Sequence, residues 1–594
     1  ANPGVNLNDV EKAIFESFEK FEKEGFSEDD LTRIKAQYET RFYNSFESVL
    51  GKSFQLAEYT MYTGDPGYFR NDIEAVQAVT MDDVTDVYNR YIKGRHFVQT
   101  SFVPKGELHL IAEGSVNADI VEEDVTRAAE IISVDTEEEP IIKTPASFDR
   151  SVKPVPGPDP AVSLPQVWKS SLSNGLEILG IEHNELPLVE YTIIMDGGHI
   201  TEELEKAGLS NLVASMMNEG TRNRTPEELE DAIGLLGASI RFSSATENIS
   251  VNVSTLKRNF EKTTALVEEM LLEPRWDEEQ FGLAKTRIIN SIERNRANPS
   301  YLASSALNKL IFGEGSIMAV EASGTEESVS SITVDDLKDY YNKYFSPSTA
   351  RLLVTGNVSQ KEVETAFEKL GRKWMPKDIE LPRITIPAPP EKSAVYFVDV
   401  PGAKQSVINI GAPSLPRTSP DFYSAFVANY KLGGSFNGVF NLILREEKGF
   451  TYGARSHFSG YRNFGIFSAS SMVRTNSTLE SVIIFKTEME KYRENIPQEY
   501  VDFTKSALIK NNALSFETIR SLLSMLNNIA SYGLPVDYIG QEEAFLTELT
   551  KEKLLELAKT FIDPSRMYYV VAGDAKTQLR ELEKAGLGKP VLLK

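Results

Sequence analysis

The side chains that most often bind metals or act as nucleophiles are few in this sequence, and their spacing excludes several kinds of site. A pair of zinc ligands on one helix needs a spacing of about three to five residues. The five histidines are too scattered for that: His96, His109, His183, His199 and His457. Cysteine, a Gly-x-Ser-x-Gly elbow and a Walker phosphate loop are all absent. We therefore expect no histidine-based zinc site and no thiol or elbow-type serine enzyme.

The segment from Leu432 to Gly453 carries the remaining chemical candidates, a cation and a phenol. A guanidinium and a phenol can both donate hydrogen bonds to an oxygen that gains negative charge. Taken alone, however, Arg445 near a helix end can simply face the helix dipole, and Tyr452 can simply be a core residue. Both interpretations stay open on these two residues.

Glycine and serine divide the same segment into elements. Gly433 and Gly434 can end one helix, and Ser435 can cap the next. Gly449 then stops the second helix, and Phe450 begins a strand. The segment is therefore predicted to run as helix, turn, helix and strand.

Three segments share one helical pattern, which indicates an internal repeat. Each opens with a threonine N-cap and continues with apolar residues at helical spacing: Thr80–Ile92, Thr333–Phe345 and Thr550–Ile562. Each is followed by a β-rich run and a turn, at Phe97–Pro104, Ala350–Gly356 and Met567–Gly573. The chain is therefore predicted to contain three copies of one unit.

The copies define the predicted domains. Copies two and three open with strands and helices, whereas copy one begins directly with a helical segment, so we expect the chain to start inside a domain of a longer parent. We predict domains at residues 1–113, 166–385 and 386–594, with an extended, acidic, proline-rich linker at 114–165. The order of elements predicts an α+β fold of repeated two-layer domains, with helices packed on one face of a mainly antiparallel sheet.

The composition excludes some partners. A formal net charge of −24 over 594 residues disfavours nucleic acid, and no Lys/Arg stripe opposes that field. No stretch is apolar enough to predict a membrane span. The absence of cysteine does not fix the compartment, although it favours a periplasmic or other extracytoplasmic location.

The segment Lys206–Thr221 has apolar residues at helical spacing, which predicts a helix with one buried face. Its glycines and apolar rhythm resemble the inverted zinc motif of the pitrilysin, insulin-degrading enzyme and mitochondrial processing peptidase family. That motif reads Gly-x-x-His-x-x-Glu-His followed by Gly-Thr, and its histidines bind zinc while the glutamate activates the metal-bound water. The resemblance implies the family's fold and, for the parent enzyme, its zinc chemistry.

The zinc-binding positions of the motif are not kept in this sequence. They are occupied by Asn211, Ala214 and Ser215, and the family's third ligand, a later glutamate, corresponds to Ser291. Hydroxyl, amide and methyl groups do not hold zinc. The resemblance therefore implies a metal-less third domain at residues 166–385, with zinc in the parent enzyme and none bound by this chain.

The segment Leu432–Gly453 resembles the partner-domain signature of the same family, in which Leu-Gly-Gly precedes Arg-Glu-x-x-Gly and a tyrosine. In the family, this arginine and tyrosine reach across a closed chamber and hydrogen-bond the substrate backbone beside the zinc. The resemblance implies that role for Arg445 and Tyr452 in the fourth domain. Donors of this kind typically stabilise a transition state by about 3 kcal/mol.

Two functions are consistent with these residues. One is the second-half component of a zinc endopeptidase, which encloses peptide substrates and is inactive without a zinc-bearing N-terminal domain in the same or a separate chain. The other is a non-catalytic scaffold or peptide-binding subunit, as in family members that became structural subunits of membrane-bound respiratory complexes. The lost zinc positions favour the second function, whereas the intact Arg445 and Tyr452 favour the first.

Overall fold

The computed structural model of the chain describes residues 4–118, 147–149, 152, 157 and 163–593. The chain divides into two compact units, the first from residues 1–32 and 75–158 and the second from residues 33–74 and 159–594. Most of the predicted linker at 114–165 lies outside the described residues. None of the described helices combines the length and the apolar character needed to cross a bilayer.

Five helices come first along the chain: α1 (Leu7–Glu24), α2 (Glu28–Ser45), α3 (Val49–Thr63), α4 (Phe69–Ala78) and α5 (Met81–Tyr91). Helix α5 begins as predicted, because the Thr80 hydroxyl accepts from the Asp83 N–H while the Asp83 carboxylate accepts from the Thr80 backbone. The predicted β-rich run at Phe97–Pro104 is wrong, since the structure has no strand there. A strand needs a neighbouring ladder of N–H and C=O groups, and none of the described residues pairs with this segment.

Residues 168–373 build the first sheet and its helices. In chain order the elements are β1 (Trp168–Ser171), β2 (Glu177–Glu182), β3 (Leu188–Asp196), α6 (Leu209–Met216), α7 (Pro226–Leu235), β4 (Ser239–Ser244), β5 (Asn248–Leu256), α8 (Phe260–Leu272), α9 (Glu278–Asn295), α10 (Pro299–Phe312), α11 (Glu326–Ser331), α12 (Val334–Tyr344), β6 (Ala350–Gly356) and α13 (Gln360–Lys373). The strand order is β1-β2-β6-β3-β5-β4, and every neighbouring pair is antiparallel except β2 with β6. One face of this sheet shares a core with α6 to α9, α12 and α13.

Residues 394–593 build the second sheet. Its elements are β7 (Ala394–Asp399), β8 (Gln405–Ser414), α14 (Phe422–Asn429), α15 (Val439–Asn441), β9 (Ala454–Gly460), β10 (Gly465–Arg474), α16 (Thr478–Glu494), α17 (Gln498–Leu514), α18 (Ile519–Tyr532), α19 (Tyr538–Glu548), α20 (Lys551–Phe561), β11 (Tyr568–Gly573), α21 (Ala575–Gln578) and β12 (Val591–Leu593). The order is β12-β7-β11-β8-β10-β9, in which β7 pairs in parallel with both β12 and β11 and the other pairs are antiparallel. Helices α14, α16, α17 and α20 cover one face.

The predicted α+β fold is confirmed by these two sheets and the helix layer on each. The opposite face of each sheet is covered by a helix from the stretch of chain that builds the other sheet. Leu307 of α10 packs with Val407 and Val570 of the second sheet, and Leu526 of α18 packs with Leu353 of the first. Because α18 covers the second face of the first sheet, strand β3 is buried along its whole length.

A buried ion cluster connects the two sheets. The Asp196 carboxylate at the end of β3 accepts paired hydrogen bonds of 2.7–2.9 Å from Arg351 of β6 and from Arg462, which precedes β10. Burial alone would raise the pKa of Asp196, but hydrogen bonds and charge from both guanidiniums outweigh it and lower that pKa. Asp196 is therefore ionised and fixes the approach of one sheet to the other.

Candidate functional site

The helix that resembles the zinc motif is held by its backbone ends. Gly208 precedes α6 with φ +97°, and a Cβ there would lie 2.9 Å from the Ser323 carbonyl oxygen. The buried Glu202 carboxylate accepts the N–H groups of Gly208 and Ser210, at 2.9 and 2.6 Å. The glycine that frames the motif is therefore needed by this turn whether or not a metal binds.

His199 completes this support. Its Nδ1 lies 2.8 Å from Glu202, and its Nε2 lies 3.0 and 2.9 Å from the carbonyl oxygens of Ile317 and Val320. Burial would lower the pKa of His199, but the Glu202 carboxylate and the two carbonyls outweigh it and raise that pKa. Because both ring nitrogens lie against acceptor oxygens, the histidine acts as an internal strut for the start of α6.

The residues at the motif's ligand positions do not fit zinc. Asn211, Ala214 and Ser215 lie on α6, and Ser291 lies on α9, which packs against it. None of these four side chains is a ligand that zinc prefers. Across the described ranges, no group of three or more His, Cys, Asp or Glu side chains could hold a metal ion.

The segment Leu432–Gly453 departs from regular helix in two places. Residues Tyr430–Gly434 and Leu442–Glu447 are π-helical, with the short α15 between them. The prediction that Ser435 caps the second helix is wrong, because Gly438 takes the N-cap position and the Ser435 hydroxyl is buried without a hydrogen-bond partner among the described residues. π-helical turns are rare and frequently lie at functional sites.

Close packing explains the paired glycines. A Cβ on Gly433 would lie 2.3 Å from the Ser456 Oγ and 2.7 Å from the Ser456 backbone nitrogen. Strand β9 is held there by Asn429, whose side-chain amide donates to the Ser456 carbonyl and accepts from its hydroxyl. Gly449 stops the second helix as predicted, with φ +63° and its N–H bonded to the Arg445 carbonyl. Strand β9, however, starts at Ala454 rather than at the predicted Phe450.

Arg445 lies on the second π-helical turn and is about one-third exposed. Its guanidinium carbon is 4.7 Å from the centre of the Phe436 ring, and its Nη1 is 3.1 Å from the Glu446 carboxylate. Stacking on an aromatic ring orients the planar fork while leaving donors free for a second acceptor. Arg445 is thus an ordered cation at the surface.

Tyr452 is 93% exposed and lines an open cavity of about 660 Å³. Phe436 and Ser435 line the same cavity, so the ring beneath Arg445 and the unpaired hydroxyl both belong to its wall. The floor is formed by β8 and β10, and α10 contributes Ser300 and Ser304. The cavity is therefore a basin lined mainly by serine, asparagine and glycine residues, with a phenol at its edge.

One positioning residue was missed by sequence reasoning. The buried Asn441 donates from its side-chain amide to the Phe436 carbonyl at 2.8 Å and accepts from the Ala454 N–H at 3.2 Å. It therefore ties the loop below Arg445 to the strand that follows Tyr452. An asparagine within a helical pattern gives no local signal that it will bond to a loop and a strand.

The arrangement can donate hydrogen bonds but cannot by itself activate water. The Tyr452 phenol lines the basin and can donate to a peptide carbonyl, whereas Arg445 is not part of the lining and lies beside it, stacked on the Phe436 ring. The described part of the chain places no metal cluster beside them. The site as described is suited to binding a polar chain and stabilising charge on it.

Comparisons with known proteins match two parts of the chain to family models. Residues 181–317 match the family model for insulinase, peptidase family M16, and residues 331–508 match the model for the M16 inactive domain. A Helicobacter pylori protein named non-peptidase homolog YmxG is 23% identical over 63% of this chain and 86% of its own length. Subunit 1 of the bovine mitochondrial cytochrome b-c1 complex is 21% identical over 35% of this chain and 43% of its own.

Solved structures agree with the fold. The M16 inactive domain from Pseudomonas fluorescens superposes with a TM-score of 0.64 at 22% identity, over 69% of this chain and 98% of that one. The two sheets, the altered zinc motif and the matched family models lead to one assignment. The chain belongs to the M16 peptidase family and includes its inactive domain.

Proposed function

We propose that the chain is the second-half component of a zinc endopeptidase. It encloses a peptide and supplies Arg445 and Tyr452 as hydrogen-bond donors to the substrate backbone and to the oxygen that gains charge. Zinc and the general base come from a partner, defined here as an M16 polypeptide of the same organism with an intact His-x-x-Glu-His helix, covalently attached or separate. Alone, the chain is inactive, because its own motif helix has lost the ligands.

The observation that carries the proposal is the exposure of Tyr452 at the edge of the basin. An aromatic side chain that is exposed to this extent adds little to stability and is free to contact a ligand in the basin. A peptide backbone bound in the basin would give the Tyr452 phenol a hydrogen-bond partner.

A non-catalytic scaffold or peptide-binding subunit is the second candidate. The altered ligand positions favour it, as do relatives named a non-peptidase homolog and a cytochrome b-c1 complex subunit. Such a subunit would pair with another M16 domain without supplying donors to a reaction. The two functions differ in what Arg445 does after a zinc-bearing partner is added.

The test is reconstitution with the zinc-bearing partner and a fluorogenic unfolded peptide. We expect cleavage only when both polypeptides are present. Replacing Arg445→Ala should lower kcat/KM about 100-fold, since one transition-state donor contributes about 3 kcal/mol. Arg372→Ala, which removes an exposed arginine from α13, is the matched control and should leave the rate unchanged. An unchanged rate in Arg445→Ala, or assembly without cleavage, would favour the scaffold instead.

A further inference from the structure

The basin beside Tyr452 differs in charge from the chain as a whole. Arg455 of β9 is exposed and is the one charged side chain among the described residues that line the basin. The other described lining residues are serine, asparagine, glycine and apolar or aromatic residues, and none of them is a carboxylate. The chain carries 87 acidic residues against 63 basic ones. The basin is therefore a locally cationic surface on an acidic protein.

The guanidinium of Arg455 has no protein partner in the described part of the chain, where it makes no hydrogen bond or ion pair. Two other arginines of the second sheet's half do have partners. Arg445 lies against the Glu446 carboxylate, and Arg462 is bonded to Asp196. A guanidinium presents five N–H donors in a planar fork whose geometry matches a carboxylate. Arg455 is thus free to bind a carboxylate that another molecule carries.

Two apolar side chains line the same basin. Phe436 and Met472 are 67% and 41% exposed. Arg455 of β9 pairs with Ser470 of β10, so Met472 lies two residues further along β10 on the same face of the sheet. Diagonal neighbours of this kind are about 7–8 Å apart. The basin therefore presents a cation and an apolar contact at a spacing that the sheet fixes.

We propose that the basin selects peptides with an acidic side chain, which Arg455 binds, and an apolar side chain two residues away, which packs against Met472 and Phe436. In an extended peptide, side chains i and i+2 point to the same side and lie about 7 Å apart. That spacing fits the diagonal from Arg455 to Met472, whereas an apolar residue at i+1 would point to the opposite side. The proposal rests on the proposed function, because it takes the basin to be where the peptide lies.

The first test measures peptide binding to the free chain by fluorescence anisotropy. The probe is a short labelled peptide of glycine and serine with one glutamate and, two residues later, one leucine; its mate carries glutamine instead of the glutamate. The glutamate peptide should bind about fivefold more tightly, as one partly exposed ion pair would give. Arg455→Gln should abolish this preference.

The matched control for Arg455→Gln is Arg222→Gln. Arg222 is also exposed, but it lies outside the basin, so its loss makes the same change in net charge and should leave the preference intact. Equal affinity of the two peptides for the native chain, binding of neither peptide, or a preference that survives Arg455→Gln would overturn the proposal.

The second test changes the spacing within the peptide. A peptide with leucine directly after the glutamate should bind the native chain about fivefold more weakly than the probe, because the leucine then loses its apolar contact. Met472→Ser should reduce this difference, whereas Met375→Ser, at an exposed position outside the basin, should preserve it. Equal affinity for the two spacings, or a difference that Met472→Ser leaves unchanged, would overturn the proposed spacing.

Recognition and catalysis fail separately in this design. If the free chain shows the expected preference and the complex with the zinc-bearing partner cleaves nothing, the peptidase function fails and the recognition site stands. If the complex cleaves the glutamate and glutamine peptides with the same kcat/KM, and Arg455→Gln changes neither value, the recognition site fails and the peptidase function stands.

Discussion

The two sheets carry equivalent helical insertions after their long strand, yet the insertions are built very differently. Behind β3, helix α6 is regular, and the buried Glu202 and His199 support its first turn. Behind β8, the chain passes through two π-helical turns and presents Tyr452 to an open basin. The first region has lost its reactive side chains and kept its framework, whereas the second keeps irregular backbone and exposed donors. Irregular backbone beside an exposed hydrogen-bond donor is better evidence of function than a preserved framework.

The largest effect is expected from removing the strut of the first region. Glu202→Ala leaves His199 and two backbone N–H groups buried without their acceptor. Breaking a buried charge pair in this way should cost about 3–5 kcal/mol of unfolding free energy, measured by urea denaturation. Glu203→Ala removes the exposed neighbour and should stay within about 0.5 kcal/mol. Equal effects would show that α6 does not depend on this carboxylate.

An intermediate effect is expected from crowding the second region. Gly433→Ala places a methyl group against Ser456 and should destabilise the chain by about 1–3 kcal/mol. Gly453→Ala is the control, because its nearest neighbour would lie 3.9 Å away. A tolerated Gly433→Ala would mean that the first π-helical turn is not packed as described.

The smallest effect is a pH dependence of the first region. Because the folded-state pKa of His199 is raised above its usual 6.5, its contribution to stability is fully present below that pH. The contribution is lost as pH rises through the folded pKa, because the ring then gives up its proton and its charged contact with Glu202. Urea midpoints of the native chain minus those of His199→Gln should therefore fall as pH rises above about 6.5. If the difference in urea midpoints does not change with pH, the histidine does not gain or lose a charge that affects stability.

The repeats were readable from sequence because their signals are local. Threonine caps at Thr80, Thr333 and Thr550 begin three helices as predicted, and two of the three predicted strands form as β6 and β11. Phe97–Pro104 has the same pattern but no pairing strands among the described residues, and a strand is defined by its neighbours.

The basin was not readable from sequence. Ser304 of α10 and Asn409 of β8 meet there only because a helix crosses from one sheet to the other. Ser435 stands where the sequence pattern predicts a helix N-cap, but in the structure it lines the basin and Gly438 takes the N-cap position. Tertiary contacts of this kind leave no periodic trace along the chain. The roles of Arg445 and Tyr452 were inferred from resemblance and remain predictions.

The most direct test of the central claim places a photo-crosslinking phenylalanine at position 452. In the complex with the zinc-bearing partner, arrested by a chelator, an unfolded peptide should crosslink there. The same group at Met375, which is exposed and does not line the basin, should give only background crosslinking. Crosslinking of the peptide at 452 above that background is the predicted result, and an equal yield at the two positions would contradict the assignment of Tyr452 to the substrate.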